Sequence, residues 1–322
     1  MTRGLLAADT DGDGTEEIVA DLGTDGLWIW DSYSWTLLSG TDPDMAIAAN
    51  IDGDAAREII ADFGSSGVWV YNASWSQISG VNPDGMTAGD VDYDAIDEVV
   101  IDFGALGAWT WDGGTWTQLT GSNLDTLAAA DFDGDGSAEL AADGGALGLW
   151  LWDGGVWTML SGINAEAMIA VPGPANDDLA ADFGTTGVWV YHMGSWTQLA
   201  GANAEGLLAV DRDTDAAYEL AADFGAVGVW LYNVGWTQLS GINADGMAAA
   251  DLDGNGVEEL VMDAGSIGLW HWDGSWAQMS GVNPAAMVRA NVDADPADEL
   301  VVDFGATGIW LYSAGSWSQI RG

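Results

Sequence analysis

The sequence predicts an all-β fold, an eight-bladed β-propeller with four antiparallel strands in each blade. Tryptophan recurs at intervals of 39 to 41 residues, and each interval contains four short apolar segments separated by glycine, aspartate and asparagine. Strands of about five residues with turn signals at this density indicate an all-β protein. Four such strands in about 40 residues, repeated eight times, are typical of propeller blades.

Two series of tryptophans define the repeat and account for 16 of the 20. The first series lies in the third strand of each repeat, where we expect it to pack between blades. Its members are Trp28, Trp69, Trp109, Trp150, Trp189, Trp230, Trp270 and Trp310. The second series opens the fourth strand after a turn, where we expect the rings to reach solvent as possible ligand-binding groups. Its members are Trp35, Trp75, Trp116, Trp157, Trp196, Trp236, Trp276 and Trp317.

Blade four shows the predicted strands well, at residues 127–131, 139–143, 148–152 and 156–160. No segment has a sustained 3.6-residue apolar period, so no helices are predicted. A parallel β-helix is the alternative fold, although its coils are usually shorter and the tryptophan-bearing hairpins fit it badly. The eight blades are predicted within a single domain, 1–322, at residues 5–45, 46–86, 87–126, 127–168, 169–206, 207–247, 248–287 and 288–322.

The chain starts on a first strand and ends on a fourth strand. We therefore expect blade one to meet blade eight by side-chain packing alone, unless the native protein carries further repeats.

An acidic loop follows the first strand of each repeat and is strongest in blades one, four and seven. Oxygen-bearing side chains occupy loop positions 1, 3, 5 and 9, glycine occupies position 6, and the backbone carbonyl of position 7 can join them. Calcium takes roughly six to eight such oxygen ligands, whereas magnesium demands a stricter octahedron. The predicted ligands are Asp9, Asp11, Asp13, Thr15 and Glu17; Asp131, Asp133, Asp135, Ser137 and Glu139; and Asp251, Asp253, Asn255, Val257 and Glu259.

Four further loops keep the acids but lose the glycine at position 6, where Ala55, Ala95, Ala216 and Pro296 stand. If that position is left-handed, alanine costs about 1 kcal/mol and proline is barred. These weaker candidates are Asn50, Asp52, Asp54 and Glu58; Asp90, Asp92, Asp94 and Glu98; Asp211, Asp213, Asp215 and Glu219; and Asn291, Asp293, Asp295 and Glu299.

We thus expect calcium in three loops, and in as many as seven if the weaker loops also bind it. No ion is expected in blade five, where Ala170, Pro172 and Pro174 replace the acids. The alternative is that the aspartates only cap their own turns. That hypothesis does not explain three acids at alternate positions, which repel one another without a cation.

A second acidic position opens the pattern Asp-x-Gly-x-x-Gly between the second and third strands. We predict a turn-capping carboxylate here, and a ligand-facing acid is the alternative. The eight residues are Asp21, Asp62, Asp102, Asp143, Asp182, Asp223, Asp263 and Asp303.

The charge of the chain restricts its partners. There are 51 acidic residues against 5 basic ones, for a net charge of −46. Nucleic acid and anionic membranes would repel such a chain, whereas cations or a high-salt environment suit it. Cysteine is absent, which excludes disulfides and thiolate metal sites. No apolar run reaches transmembrane length, so no membrane insertion is expected.

Nothing in the sequence assembles into a catalytic site. The two histidines, His192 and His271, occupy non-equivalent repeat positions, and no Gly-x-Ser-x-Gly elbow is present. The many acids leave open a carboxylate pair for glycoside hydrolysis, but no acid breaks the repeat symmetry. We therefore expect no enzyme.

The motif from Asp9 to Glu17, followed by a short apolar strand, resembles the FG-GAP/VCBS repeat, the family of the integrin α-subunit propeller. Segments such as 63–69 and 183–189 are similar to fungal integrin-like propeller lectins and related bacterial repeats. The resemblance implies calcium in the loops and, if the lectin similarity holds, sugars between blades. Position 9 is mostly glutamate here where the family usually has aspartate, and the longer arm could shift the ion or make its coordination bidentate.

Two classes of function follow. The first is a monomeric, secreted or cell-surface binding module for carbohydrates or surface proteins, although residues 1–4 run into the first repeat without a visible signal peptide. Repeated weak sites would add avidity on a polyvalent surface. The alternative is a symmetric structural or engineered scaffold with no dedicated ligand.

Overall fold

The computed structural model describes residues 4–213, 215 and 217–322, which form eight separate four-stranded sheets. Within every sheet the strands follow one another in chain order and pair antiparallel. The protein is an all-β eight-bladed β-propeller, as predicted. The antiparallel pairing excludes the parallel β-helix.

The second strand of each blade is its most buried strand, and the first strand beside it is mostly half-buried. First strands are rich in alanine and other small residues: β1 Gly4–Ala8, β5 Met45–Ala49, β9 Gly85–Gly89, β13 Thr126–Ala130, β17 Ala167–Val171, β21 Gly206–Val210, β25 Gly246–Ala250 and β29 Ala286–Ala290. Second strands are buried almost throughout: β2 Glu17–Asp21, β6 Glu58–Asp62, β10 Glu98–Asp102, β14 Glu139–Asp143, β18 Asp178–Asp182, β22 Glu219–Asp223, β26 Glu259–Asp263 and β30 Glu299–Asp303.

Third strands alternate buried and half-buried residues: β3 Leu27–Asp31, β7 Val68–Asn72, β11 Ala108–Asp112, β15 Leu149–Asp153, β19 Val188–His192, β23 Val229–Asn233, β27 Leu269–Trp272 and β31 Ile309–Ser313. Fourth strands are the most exposed: β4 Ser34–Ser39, β8 Ser74–Ser79, β12 Thr115–Thr120, β16 Val156–Ser161, β20 Ser195–Gln198, β24 Gly235–Gln238, β28 Trp276–Ser280 and β32 Ser316–Arg321.

A single-turn 3-10 helix joins the second strand to the third strand in every blade, an element that the sequence pattern did not predict. The turns are η1 Gly23–Asp25, η2 Gly64–Ser66, η3 Gly104–Leu106, η4 Gly145–Leu147, η5 Gly184–Thr186, η6 Gly225–Val227, η7 Gly265–Ile267 and η8 Gly305–Thr307. One turn is too short to give a helical period, so the apolar pattern could not reveal it.

The predicted blade boundaries fall one or two residues too late, because the last residue of a predicted blade belongs to the first strand of the next. Met45, for example, starts β5 and pairs with Asp62. The first strand of each blade starts at the residue that pairs with the turn aspartate. The local sequence pattern does not show this pairing, so it could not fix the start of the strand.

The chain divides into two compact units, described separately. One unit contains the chain up to Asp9, Gly14–Asp42 and Ala204–Gly322, and therefore blades one, six, seven and eight. In this unit β21 contacts β25, β25 contacts β29, and β29 contacts β1. Apolar clusters join blade six to seven, seven to eight, and eight to one.

In this unit the last blade meets the first through more than side-chain packing, which corrects the prediction. Trp35 Nε1 donates to the Ile320 carbonyl at 2.8 Å. The Glu16 backbone N–H donates to the Asn291 carbonyl at 2.8 Å, and the Asn291 N–H donates to Glu16 Oε2 at 2.8 Å. The two blades therefore share backbone hydrogen bonds as well as an apolar cluster, without sharing a strand.

The other unit contains Thr10–Asp13 and Pro43–Asn203, and therefore blades two to five. Its first strands contact in the order β5, β9, β13, β17. Apolar clusters join blade two to three, three to four, and four to five. Each second strand in the middle of such a stack is covered on both faces, which explains its continuous apolar sequence. In the described parts of the chain, no helix is long and apolar enough to cross a membrane.

Candidate functional site

Antiparallel order places two kinds of loop at opposite ends of every blade. The acidic loops between first and second strands share one end with the hairpins between third and fourth strands. The 3-10 turns and the connections to the next blade lie at the other end. The predicted metal ligands and the tryptophan-lined cavities described below therefore occupy different ends of a blade.

The acidic loop of blade four gathers its carboxylates as predicted. Oxygens of Asp131, Asp133, Asp135 and Glu139 lie within 4.8 Å of one another. The carboxylates also hold the loop: Asp131 accepts the Gly134 and Gly136 N–H groups at 2.6 and 2.9 Å. Turn capping and ion binding are thus compatible here, since several carboxylate oxygens converge beyond those used by the backbone.

Other loops place their predicted ligands in the same way. Clusters with the same 4.8 Å spacing form at Asp52, Asp54 and Glu58, and at Asp90, Asp92 and Glu98. In blade seven the Asn255 and Gly256 N–H groups donate to Asp251, at 3.1 and 2.7 Å. In blade eight the Ala294 N–H donates to Asn291 Oδ1 at 2.8 Å.

In blade six the Asp213 N–H donates to Asp211 Oδ1 at 3.3 Å and the Ala217 N–H donates to Asp215 Oδ1 at 2.9 Å. The predicted position 6, Ala216, lies outside the described residues. The blade-one residues Asp9, Asp11, Asp13 and Thr15 follow β1, and Glu17 begins β2. The blade-five loop lacks the motif, and its Asp178 contacts His192 Nδ1 at 2.6 Å. The position-7 carbonyl ligands stay a prediction.

The glutamate at loop position 9 begins the second strand and is almost fully buried. Its Oε2 accepts the backbone N–H of loop position 2, at 2.8 Å in the pair Val91–Glu98 and 2.7 Å in the pair Phe132–Glu139. The position-2 amide thus uses Oε2, and bidentate coordination of an ion by the longer glutamate arm stays a prediction.

Two of these glutamates carry a buried oxygen without a partner. Glu98 and Glu259 are each 2% exposed, and their Oε1 atoms have no hydrogen-bond partner among the described residues. Burial raises the pKa of Glu98, Glu139 and Glu259 to about 7, with nearby carboxylates adding to the effect and the position-2 hydrogen bond opposing it. A buried acceptor facing other carboxylates is costly unless a cation is bound there.

The left-handed residues of these loops differ from the prediction. Position 6 is left-handed at Gly136 and also at Ala95, with φ of 93° and 70°. Position 4 is left-handed as well, at Gly134, Tyr93 and Ala294, with φ of 81°, 73° and 58°. Both positions are left-handed in blades one, three, four and seven, whereas only position 4 is left-handed in blades two and eight, and the sequence pattern indicated position 6 alone. Pro296 at position 6 does not prevent a turn, because position 4 makes it.

Acids at loop position 8 were not predicted as functional, yet they join neighbouring blades. Asp97 Oδ2 accepts the Asn50 N–H at 2.9 Å, and the Asp97 N–H donates to the Asn50 carbonyl at 2.8 Å. Asp298 makes the same two bonds to Asp251, at 2.9 and 2.7 Å. The only sequence signal was an acid directly before the recurring glutamate.

The turn aspartates are held by backbone amides, which confirms the turn-capping prediction. Asp143 is fully buried, and it accepts the Gly145 and Ala165 N–H groups, both at 3.1 Å. Asp102 makes the equivalent bonds to Gly104 and Leu124 at 3.1 and 3.0 Å. Each carboxylate therefore ties a 3-10 turn to the connection that leads into the next blade.

The second tryptophan series is half-buried between blades rather than free in solvent. Trp157 Nε1 donates to the Leu119 carbonyl at 3.1 Å, and Trp196 Nε1 donates to the Leu160 carbonyl at 3.0 Å. The expectation of solvent-reaching rings was thus only partly met, because the indole N–H is used in blade-to-blade contact. These hydrogen bonds join residues more than 35 positions apart in the sequence, so no local pattern could predict them.

Two cavities lie between blades, at the end that carries the 3-10 turns. The blade-three cavity has a volume of about 510 Å³, and its lining includes Trp109, Trp116 and Gln118. The blade-four cavity is narrower, about 200 Å³, and its lining includes Trp150 and Trp157. Both tryptophan series therefore contribute to these cavities.

A tryptophan and a glutamine sit opposite each other near this end of six blades. Gln118 is exposed, faces the half-buried Trp109 across the strand pair, and donates to the Leu106 carbonyl at 3.2 Å. The pairs are Trp69–Gln77, Trp109–Gln118, Trp189–Gln198, Trp230–Gln238, Trp270–Gln278 and Trp310–Gln319. The repeated glutamine two residues after each second-series tryptophan was the signal that could have revealed this patch.

Comparison with known proteins supports the propeller fold. No protein-family profile matches the chain, and no curated protein matches it. The FG-GAP/VCBS resemblance is therefore not confirmed. Among solved structures, BBS1N in a complex with ARL6DN is similar, with a TM-score of 0.59 at 13% identity over 82% of this chain and 90% of that one.

Two other structures match nearly the whole chain. An Agrocybe aegerita lectin that recognises non-reducing terminal N-acetylglucosamine has a TM-score of 0.56 at 14% identity, over 98% of this chain and 94% of that one. The computationally designed Ika8 protein has a TM-score of 0.52 at 16% identity, over 96% and 95%. At these identities the likeness concerns the fold alone.

Proposed function

We propose that this protein is a non-catalytic, secreted or cell-surface binding module that binds carbohydrates at its repeated tryptophan–glutamine patches and holds calcium in its acidic loops. The observation that carries the proposal is the recurrence of a half-buried indole beside an exposed amide in six blades. An indole face packs against the apolar face of a sugar ring, and an amide supplies hydrogen bonds to hydroxyl groups.

Three further points support a binding role. Blade-three and blade-four cavities open beside the tryptophans, and concave sites with a few polar groups are typical ligand sites. A lectin and a protein-binding propeller share the fold. A charge of −46 disfavours anionic partners, whereas neutral glycans are unaffected by it.

Calcium is proposed as a structural ion. The buried, unpartnered Oε1 atoms of Glu98 and Glu259, together with the converging aspartates, fit a hard cation with oxygen ligands. Blades one, four and seven are the first candidates, and the orphaned oxygen of Glu98 adds blade three. When bound, the ion would neutralise carboxylates that otherwise repel one another.

A glycan array, run in calcium and repeated in chelator, tests the carbohydrate proposal. We expect binding to a defined class of neutral sugars. A variant with alanine at Gln77, Gln118, Gln198, Gln238, Gln278 and Gln319 should lose most of it.

The matched control replaces Thr117, Thr197 and Thr237 by alanine, because these exposed residues lie on the same fourth strands as Gln118, Gln198 and Gln238 and point to the opposite face. This variant should bind as the wild type does. An array without binding, for a folded and calcium-loaded protein, would instead favour a protein partner or the scaffold alternative.

A further inference from the structure

A phenylalanine follows the turn aspartate in five blades and packs against the fourth-strand tryptophan of its own blade. The ring centroids lie 5.2 Å apart in the pair Phe63–Trp75 and 5.3 Å apart in the pair Phe183–Trp196. Blade four has Gly144 at this position. Its Trp157 therefore lacks the ring that the fourth-strand tryptophans of those five blades contact.

The surroundings of the missing ring keep the shape that they have in complete blades. Gly144 has φ of −96° and ψ of 23°, close to the −97° and 30° of Phe103. Trp157 donates to a neighbouring carbonyl at 3.1 Å, as Trp196 does at 3.0 Å in blade five. Leu147 is 57% exposed, almost equal to the 56% of Leu106, and it lies close to Gly144: a Cβ added to Gly144 would stand 3.1 Å from Leu147 Cβ and 3.6 Å from its Cδ1.

A cavity of about 200 Å³ opens beside Gly144, with Thr120, Ser122, Leu124, Leu147, Trp150 and Trp157 in its walls. No charged side chain lines it. A cavity of about 150 Å³ with apolar walls is large enough to bind benzene. The indole edges and faces around it favour an aromatic guest in edge-to-face geometry.

We propose that this cavity binds one uncharged aromatic ring of a small molecule, in the place where other blades carry their own phenylalanine. Blade four has no tryptophan–glutamine pair, because Met159 stands opposite Trp150, so the inference does not rest on the repeated patch. The charge of −46 makes an anionic ring a poorer ligand than a neutral ring of the same size.

Ligand-observed NMR with 4-fluorobenzyl alcohol tests the proposal on the full chain. Saturable binding is expected with Kd on the order of 1 mM. Gly144→Phe should weaken binding at least tenfold while raising the melting temperature. Its backbone suits the substitution, since blade three already places Phe103 beside Leu106. 4-Fluorobenzoate should bind more weakly than the alcohol.

Two matched variants locate the site. Ala264→Phe makes the same addition in blade seven, where the phenylalanine is also missing, and should leave binding unchanged. Phe183→Gly should create a second site in blade five. If Phe183→Gly does not fold, the comparison of Gly144→Phe with Ala264→Phe still shows whether the ring binds in the blade-four cavity. The proposal would be overturned if the wild type and Gly144→Phe bound 4-fluorobenzyl alcohol equally well. It would also be overturned if the folded wild type did not bind the alcohol at tens of millimolar, roughly tenfold or more above the expected Kd.

Discussion

At the residue scale, this protein buries carboxylates and uses them as backbone acceptors. Seven of the turn aspartates and the seven position-9 glutamates are buried, and carboxylates such as those of Asp143 and Glu139 accept N–H groups of the connection to the next blade or of their own loop. Burying such a group is favourable only when its hydrogen bonds are made, so these acids have a structural role.

Asp143→Ala should lower the free energy of unfolding by at least about 2 kcal/mol. Two N–H groups lose their acceptor, and each unsatisfied buried donor costs about 1–3 kcal/mol. Gly145 and Ala165 carry those groups. The measurement is the urea unfolding midpoint. The exposed Asp125→Ala should change the free energy of unfolding by less than about 0.5 kcal/mol. Equal effects of the two substitutions would contradict the structural role.

Asp62 should make stability depend on pH. Burial raises its pKa from 3.8 to about 6, with Asp44 adding to the effect and the Gly64 hydrogen bond opposing it. Between these two values the folded state holds a proton that the unfolded state releases, so this group's contribution favours folding at low pH and is lost as pH rises toward about 6.

Asp62→Asn cannot titrate, so its free energy of unfolding should fall less steeply than that of the wild type over this pH range. Urea unfolding at several pH values measures the difference. Parallel curves for the two proteins would show that Asp62 does not titrate in this range.

At the element scale, each 3-10 turn depends on the glycine that follows it. Gly187 has φ of 89° and lies against the fourth-strand end of its own blade, where an added Cβ would overlap the Ala200 carbonyl oxygen. Gly194, in the hairpin of the same blade, has φ of 85° with open space around it. The two glycines share a positive φ and differ in their surroundings.

Gly187→Ala should therefore destabilise the protein by more than about 3 kcal/mol, because a backbone clash adds to the left-handed strain, and it should also disturb the blade-five edge. Gly194→Ala should cost only the strain of about 1–2 kcal/mol. Thermal unfolding of both variants measures the difference. Similar melting temperatures would mean that the strand end moves away without penalty.

At the scale of the whole molecule, the net charge is the feature with the largest expected effect on stability. A net charge of −46 produces self-repulsion that salt screens and that bound cations remove. Monovalent salt should raise the melting temperature by screening alone. Calcium should do more, because ions that bind only the folded state stabilise it by mass action.

Replacing NaCl with CaCl2 at constant ionic strength should raise the melting temperature. Each site should add about 2.7 kcal/mol to the free energy of unfolding when the calcium concentration is a hundred times Kd. MgCl2 should have a smaller effect. Glu98→Gln removes one proposed ligand charge and should reduce the calcium shift. Identical melting in sodium, magnesium and calcium would refute the metal sites.

The sequence alone determined the fold class, the number of strands and the position of each acidic loop. These features are local and periodic: tryptophan spacing counts the blades, and turn residues divide the strands. It also identified the turn-capping aspartates, because a cap lies within two residues of its amide partner.

Only the tertiary structure decided which side-chain atoms are paired and which are left without a partner. It placed the Trp157 indole on the Leu119 carbonyl, joined Asp97 to Asn50, left Glu98 Oε1 without a partner and opened the cavity beside Gly144. Each of these depends on contacts between blades some 40 residues apart. A repeat pattern shows what every blade has in common, whereas packing between neighbours determines which atoms remain exposed, paired or missing.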